Sequence, residues 1–318
     1  SEGEIIRIIE KGSDEIVGTF QSVKSFGFLI PDDKKISQDI FIPAGKTKGA
    51  VDGHKVVAKI TKRSVGRTNP EGVITEIIGH INDPGVDILS VIKQFDLPES
   101  FPEDVMKQIE SIDPDKIDER LVEGRDDYRD ILTVTIDGDD SKDFDDAVSV
   151  QKLDNGNYVL GVHIADVTEY VKENSPLDKE ALKRGTSIYL VDRVIPMLPH
   201  KLSNGICSLN PNADRLALSC TMEIDKKGNV VSHKVAKSVI RSDRRMTYHI
   251  VNEILENDNA EYKAEYSDLV DMFKTMLELR NILLAKRQKR GSVNFDLPEC
   301  QIVLNDKGEP IEIKPHER

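Results

Sequence analysis

The sequence predicts a multidomain α+β chain in which a small β-barrel leads through a helical connector into a larger mixed α+β domain. Three observations carry that expectation. Residues 1–80 are short apolar runs divided by turn residues. Residues 81–122 hold acidic helical segments broken by proline, and from about Leu132 longer strands alternate with helices. The 318 residues are enough for two domains. With 38% hydrophobic and 32% charged residues, the composition excludes disordered and collagen-like classes.

The barrel strands are expected at Glu4–Ile9, Ile16–Ser22, Phe26–Pro31, Asp39–Pro43, His54–Thr61 and Gly72–Ile78. Such runs with glycine at the turns fit a barrel of the OB type. The connector opens at Asp83-Pro84, read as a cap with proline at the first helical position, followed by Val86, Ile88, Leu89, Val91 and Ile92. Phe101 to about Leu121 adds short acidic helices broken at Pro114. Beyond it, strands are expected at Leu132–Ile136, Ala147–Gln151, Tyr158–Ala165, Leu216–Ile224 and Val230–Ile240. A helix over Pro176–Arg184 has Ser175 as cap and Gly185 as stop. The longest helix, Asp268–Arg290, is capped by Ser267 in this reading and ends before Gly291. Its basic last turn is read as a solvated terminus suited to the helix dipole, with a phosphate contact as the alternative. The expected domains are therefore 1–80, 81–122 and 123–318.

The net charge of −13 is unevenly spread: residues 1–80 carry 12 basic and 11 acidic side chains, the remainder 32 and 46. An acidic total weakens non-specific attraction to phosphate, yet clustered carboxylates are also how a protein binds Mg²⁺. No window approaches the roughly 18 apolar residues of a membrane span, and Ser1-Glu2-Gly3-Glu4 has no secretory layout. Cys207, Cys220 and Cys300 are far apart, without CxxC spacing, which argues against a thiolate zinc site and for a reducing, cytoplasmic setting.

The chemistry concentrates in Thr135-Ile-Asp-Gly-Asp-Asp-Ser-Lys-Asp-Phe-Asp-Asp-Ala147, six carboxylates in ten residues directly after an apolar strand. Such a run repels itself unless a cation sits among it or water solvates it. Ile136, Phe144 and Ala147-Val148 are interleaved and pull the acids toward the protein body. A calcium loop is excluded, since the glycine position falls on Lys142 and the bidentate glutamate position on Val148. A compact array of hard oxygen ligands suits a two-Mg²⁺ phosphoryl-transfer site, with a solvated acidic loop as the other reading. Ala44-Gly45-Lys46-Thr47 imitates a phosphate loop, but its earlier glycine position is Ile40. Phe26, Phe28 and Phe41, on adjacent strands, form either barrel core or a base-stacking platform, with Lys24 and Lys55 near enough to serve phosphates.

Lys24-Ser-Phe-Gly-Phe-Leu-Ile30 with Asp39-Ile-Phe-Ile-Pro43 resembles the two RNA-binding strands of a cold-shock domain. The acidic run resembles the signature of the ribonuclease II/ribonuclease R family. So do His163-Ile-Ala-Asp-Val167, Arg184-Gly-Thr-Ser-Ile-Tyr-Leu190, Pro196-Met-Leu-Pro199, Leu202-Ser-Asn-Gly-Ile-Cys-Ser-Leu-Asn-Pro211, Arg245-Met-Thr-Tyr248 and Arg290-Gly-Ser-Val-Asn-Phe-Asp-Leu-Pro298.

The resemblance implies a cold-shock barrel followed by a truncated RNB catalytic domain, and a processive 3′→5′ exoribonuclease that uses Mg²⁺ and releases 5′-nucleoside monophosphates. The family's four functional aspartates fall on Asp137, Asp143, Asp145 and Asp146: Asp137, Asp143 and Asp146 as metal ligands, Asp145 as the catalytic carboxylate. Asp139 and Asp140 fall on positions the family leaves free. Tyr189 matches an aromatic that stacks near the RNA end, and Tyr248 one near the scissile phosphate. The implied partner is single-stranded RNA, with structured RNA for the full-length protein and no membrane. The family's Ser-Pro-Ile-Arg-type motif, its late acidic residue and its S1 barrel have no counterpart before Arg318, so the chain is read as a fragment. The competing function is a non-catalytic RNA-binding module with an acidic scaffold.

Overall fold

A computed structural model of the chain describes residues 6–7, 14–64, 68–293, 299–305 and 307–316. They group into two compact units: Ser1–Ser100 with Ile188–Ile195 and Glu299–His316, and Phe101–Ser187 with Pro196–Pro298. Apart from Ile6 and Arg7, which are not in a strand, the expected strand Glu4–Ile9 lies outside the described residues, as do residues 294–298 of the last family motif.

In the first unit β1 (Glu15–Val23), β2 (Phe26–Pro31), β3 (Ile40–Ile42), β4 (His54–Lys62) and β5 (Glu71–His80) close into a barrel of order β1-β2-β3-β5-β4. Alternation explains it. Phe20, Leu29, Ile40, Ile42, Val56, Ala58 and Ile74 point inward and form the core. Gly27 is required by close packing: a Cβ there would stand 2.4 Å from the Phe20 ring. That inward glycine leaves Phe26 and Phe28 on the outer face.

Helix α1 (Val86–Gln94) follows, burying Val86, Ser90 and Ile92. The expected cap is corrected here. Asp83 accepts from the His80 backbone N–H at 2.7 Å, closing the preceding turn, and the residue before the helix is Gly85 with φ of 78°. Pro84 therefore lies outside the helix.

The second unit opens with α2 (Glu103–Ile109), a 3₁₀ turn at Glu119–Leu121 and β6 (Asp126–Asp127), with Pro114 between the helical pieces as expected. Then come β7 (Val134–Asp137), β8 (Asp146–Lys152), β9 (Tyr158–Ala165) and α3 (Pro176–Arg184). Ser175 caps α3 by accepting from Asp178 N, and Gly185, at φ 74°, ends it. A short hairpin, β10 (Ile188–Tyr189) with β11 (Val194–Ile195), belongs to the first unit.

The chain returns to the second unit with β12 (Asp214–Ile224), β13 (Val230–Arg241), β14 (Arg244–Thr247), α4 (Tyr248–Leu255), α5 (Ala260–Glu265) and α6 (Val270–Lys289). The hairpin β15 (Glu299–Leu304) with β16 (Pro310–His316) again belongs to the first unit. Ser267 does not cap α6; residues 266–269 form a turn in which Leu269 N donates to Tyr266 O. In the basic last turn, Lys286 Nζ donates to Gly228 O and Asn229 Oδ1, tying α6 to the β12–β13 turn. Lys286 thus bonds within the fold, while Arg287, Lys289 and Arg290 of the same turn are exposed.

Seven strands of this unit form one sheet, β14-β7-β8-β9-β12-β13-β6, antiparallel inside and parallel at both edge pairs. Met246 and Val134 pack with Ile254 of α4 and Phe273 of α6. Leu216 and Val239 pack with Val105 of α2 and Leu177 of α3. Across the sheet runs a buried polar line: Ser149 to His163 Nε2 at 3.2 Å, His163 Nδ1 to Ser219 at 2.6 Å, Ser219 to Ser238 at 2.6 Å. Gly161 makes room for it, since a Cβ there would meet Ser149 Oγ at 2.3 Å. Among the described residues no helix is long and apolar enough to cross a membrane.

Candidate active site

The acidic run joins two sheet neighbours. Asp137 ends β7, Asp143 lies in the connection, and Asp145 and Asp146 lead into β8. Strands β7 and β8 are in register only at Val134 and Val148, so beyond that pair the chain opens into the loop that carries the acids. Parallel pairing of β14 with β7 sets Thr247 opposite Asp137. Thr247 then caps α4 by accepting from Ile250 N at 3.2 Å, and Tyr248 begins the helix with its side chain exposed.

The aspartates act on one another. Burial pushes the Asp137 carboxyl above the usual carboxylate range, and the charges of Asp146, Asp143 and Asp145 push it the same way, while Arg245 pulls it down. Burial also raises Asp145, followed by the charges of Asp143 and Asp146. Asp139 and Asp140 are exposed, as are Asp145 and Asp146 at the surface of the array, while Asp137 and Asp143 are half-buried. The donor set is hard, anionic and short of cations, which fits Mg²⁺. Among the described residues, however, no three His, Cys, Asp or Glu side chains stand close enough to hold a metal ion as they are. The carboxylates share one field without forming a closed cage.

Two residues that motif reading did not single out hold this loop. Arg245 Nη2 donates to the carbonyls of Gly138 at 3.2 Å, Asp139 at 2.5 Å and Ser141 at 3.4 Å. Its guanidinium lies 5.4 Å from the Phe144 ring centroid. Ser208 Oγ accepts from Phe144 N at 3.0 Å and donates to Lys142 O at 3.2 Å. Arg245 Nε and Thr135 Oγ, on paired residues of β14 and β7, are buried without a hydrogen-bond partner among the described residues. The available signal was their place inside the quoted motifs, Arg245 opening Arg245-Met-Thr-Tyr248 and Ser208 lying within Leu202-Ser-Asn-Gly-Ile-Cys-Ser-Leu-Asn-Pro211.

The other site residues of the sequence reading lie in the first unit. Phe26, Phe28 and Phe41 form one cluster with centroids 5.6–6.1 Å apart. All three rings are half-buried, and none belongs to the barrel core. Lys24 sits exposed at the β1–β2 turn with φ of 56°. Lys55 is instead engaged by Asp32 at 2.5 Å, and its side chain is only 14% exposed, so its ammonium is already paired. Tyr189 is exposed on the β10–β11 hairpin.

Comparison with known proteins decides the family. The RNB domain model matches residues 125–318, more than half of the chain, and a cold shock domain model matches residues 28–102. The chain belongs to the RNB family. Ribonuclease R of Thermotoga maritima is 46% identical over 319 residues, covering 99% of this chain and 44% of that protein. The RNB chain thus spans less than half the length of this curated relative. Among solved structures, Mycoplasma genitalium RNase R in complex with double-stranded RNA superposes with a TM-score of 0.86 at 26% identity, covering 99% of this chain and 55% of that one. Yeast Ssd1, a pseudonuclease, shares the fold with a TM-score of 0.69 at 20% identity, covering 89% of this chain and 35% of that one.

Proposed function

We propose that this RNB chain comprises the cold-shock barrel (1–80), the connector (81–122) and the first part of the catalytic domain (123–318) of a cytoplasmic exoribonuclease. The enzyme degrades RNA processively from its 3′ end and releases 5′-nucleoside monophosphates. The observation that carries this reading is the placement of Asp137, Asp143, Asp145 and Asp146 on the single connection from β7 into β8, beside the start of α4, in a chain of this family.

Asp137, Asp143 and Asp146 would hold Mg²⁺. The bound metal would supply Lewis-acid polarisation of the phosphate and of the attacking water. Asp145 orients that water and accepts its proton as the water oxygen bonds to phosphorus and the 3′ oxygen departs. Tyr248, exposed beside Asp137's partner strand, donates its hydroxyl to the scissile phosphate. Tyr189 stacks near the RNA end. Phe26, Phe28 and Phe41 offer ring faces to unpaired bases, and Lys24 contacts phosphate, which holds single-stranded RNA without reading its sequence. Structured RNA is a substrate of the full-length protein.

Labelled poly(A) with Mg²⁺ tests the reading. Mononucleotides released from the 3′ end, and none from a 3′-blocked strand, are expected of the full-length protein. Retention of intact RNA would instead favour a binding module with an acidic scaffold. One observation supports that second reading: the open arrangement of the carboxylates among the described residues.

A further inference from the structure

A loop with six carboxylates in ten residues repels itself, and bonds to its backbone oppose that repulsion. Two side chains far apart in sequence provide them. Arg245, on β14, reaches the carbonyls of Gly138, Asp139 and Ser141 in the first half of the loop. Ser208, fully buried, brackets Asp143 by bonding the backbone at Lys142 and Phe144. Leu209 N adds a bond to Phe144 O at 2.9 Å, and the Ser208 carbonyl is itself fixed by buried Arg215 Nε at 2.8 Å.

We propose that Ser208 and Arg245 are positioning residues that clamp the two halves of the loop and set the separation of Asp137 from Asp143, Asp145 and Asp146. The proposal rests on the reading of that array as the metal locus. Every bond of the clamp goes to backbone, so the clamp itself occupies no carboxylate. For Arg245 charge and geometry oppose each other. A guanidinium beside a cation site weakens cation binding through Coulomb repulsion, so charge alone predicts tighter binding when it is removed. Positioning predicts the reverse.

The test uses the 318-residue chain with Mn²⁺ as probe, followed by electron paramagnetic resonance, and amide hydrogen exchange without metal. In Ser208→Ala and Arg245→Gln, amides of residues 139–146 are expected to exchange about tenfold faster, while those of β9 and β12 keep their protection. Arg245→Gln is expected to lower Mn²⁺ affinity about tenfold. Arg245→Lys, which keeps the charge but ends short of the Nη2 position and loses the planar guanidinium near Phe144, is expected to do the same. Unchanged or tighter Mn²⁺ binding in Arg245→Gln, full rescue by lysine, or equal loss of protection across the sheet would each overturn the clamp. Asp146→Asn, at one of the assigned ligands, separates the two readings. If it binds Mn²⁺ like the parent chain, or the parent binds none, the metal reading fails, and loop exchange alone decides the clamp.

Discussion

Thr247 and Asp137 face each other across the parallel edge pair β14 and β7, the first capping a helix and the second ending a strand. One pairing thus brings the leading carboxylate of the acidic run next to the segment that presents Tyr248. Because Tyr248 is 57% exposed, its ring contributes little to packing. Tyr248→Phe in the full-length protein is expected to leave thermal unfolding unchanged and to lower single-turnover degradation at least tenfold, about 1.4 kcal/mol in barrier. Thr247→Ala should do the opposite first, lowering stability by about 1 kcal/mol through the lost cap. Denaturant unfolding and single-turnover rates on the same preparations check both.

His163 predicts a pH window. Burial holds its imidazole down to about 4, against an ordinary value near 6.5. Its neighbours in the sheet are the Ser149 and Ser219 hydroxyls and the Tyr128 ring. The folded state therefore favours neutral imidazole. Its contribution is fully present above the unfolded pKa of about 6.5 and is lost as pH falls toward 4, by roughly 3 kcal/mol in all. Glu169, held near 2 by Lys172 and Lys237, acts in a lower window, below the ordinary carboxylate value. Urea midpoints from pH 7.5 to 4.5 should fall in the parent chain and fall less steeply in His163→Gln, whose pH 7.5 stability is already reduced.

The barrel predicts a separation of stability from binding. Phe28→Ala removes a half-buried outer ring, so it should cost about 1–3 kcal/mol in poly(U) affinity with little change in melting temperature. Gly27→Ala should destabilise the barrel instead, because its Cβ would strike the Phe20 ring and the Gln21 carbonyl, each at 2.4 Å. Filter binding and circular dichroism on the two variants distinguish the roles.

The barrel was legible because its alternation is strong over each strand. The same holds for α3, whose Ser175 and Gly185 act locally. Asp83 and Ser267 misled because a capping residue can serve a turn equally well, and the Asp83 carboxylate is taken by His80 N. Strand β14 escaped notice because four residues with two arginines carry no strand pattern; only pairing with β7 makes them a strand. The aspartates stood out through carboxylate density. Arg245 and Ser208 did not, since each bonds backbone that lies 106 and 64 positions away in sequence.

The most direct measurement is degradation and binding of one RNA by the full-length protein and its Asp145→Asn variant. The change is nearly isosteric and removes one negative charge from the array. Turnover is expected to fall more than about tenfold, a barrier rise above roughly 1.4 kcal/mol, while RNA affinity changes far less. Degradation at the parent rate in the Asn variant would contradict the account, because the acidic run would then not be the active site.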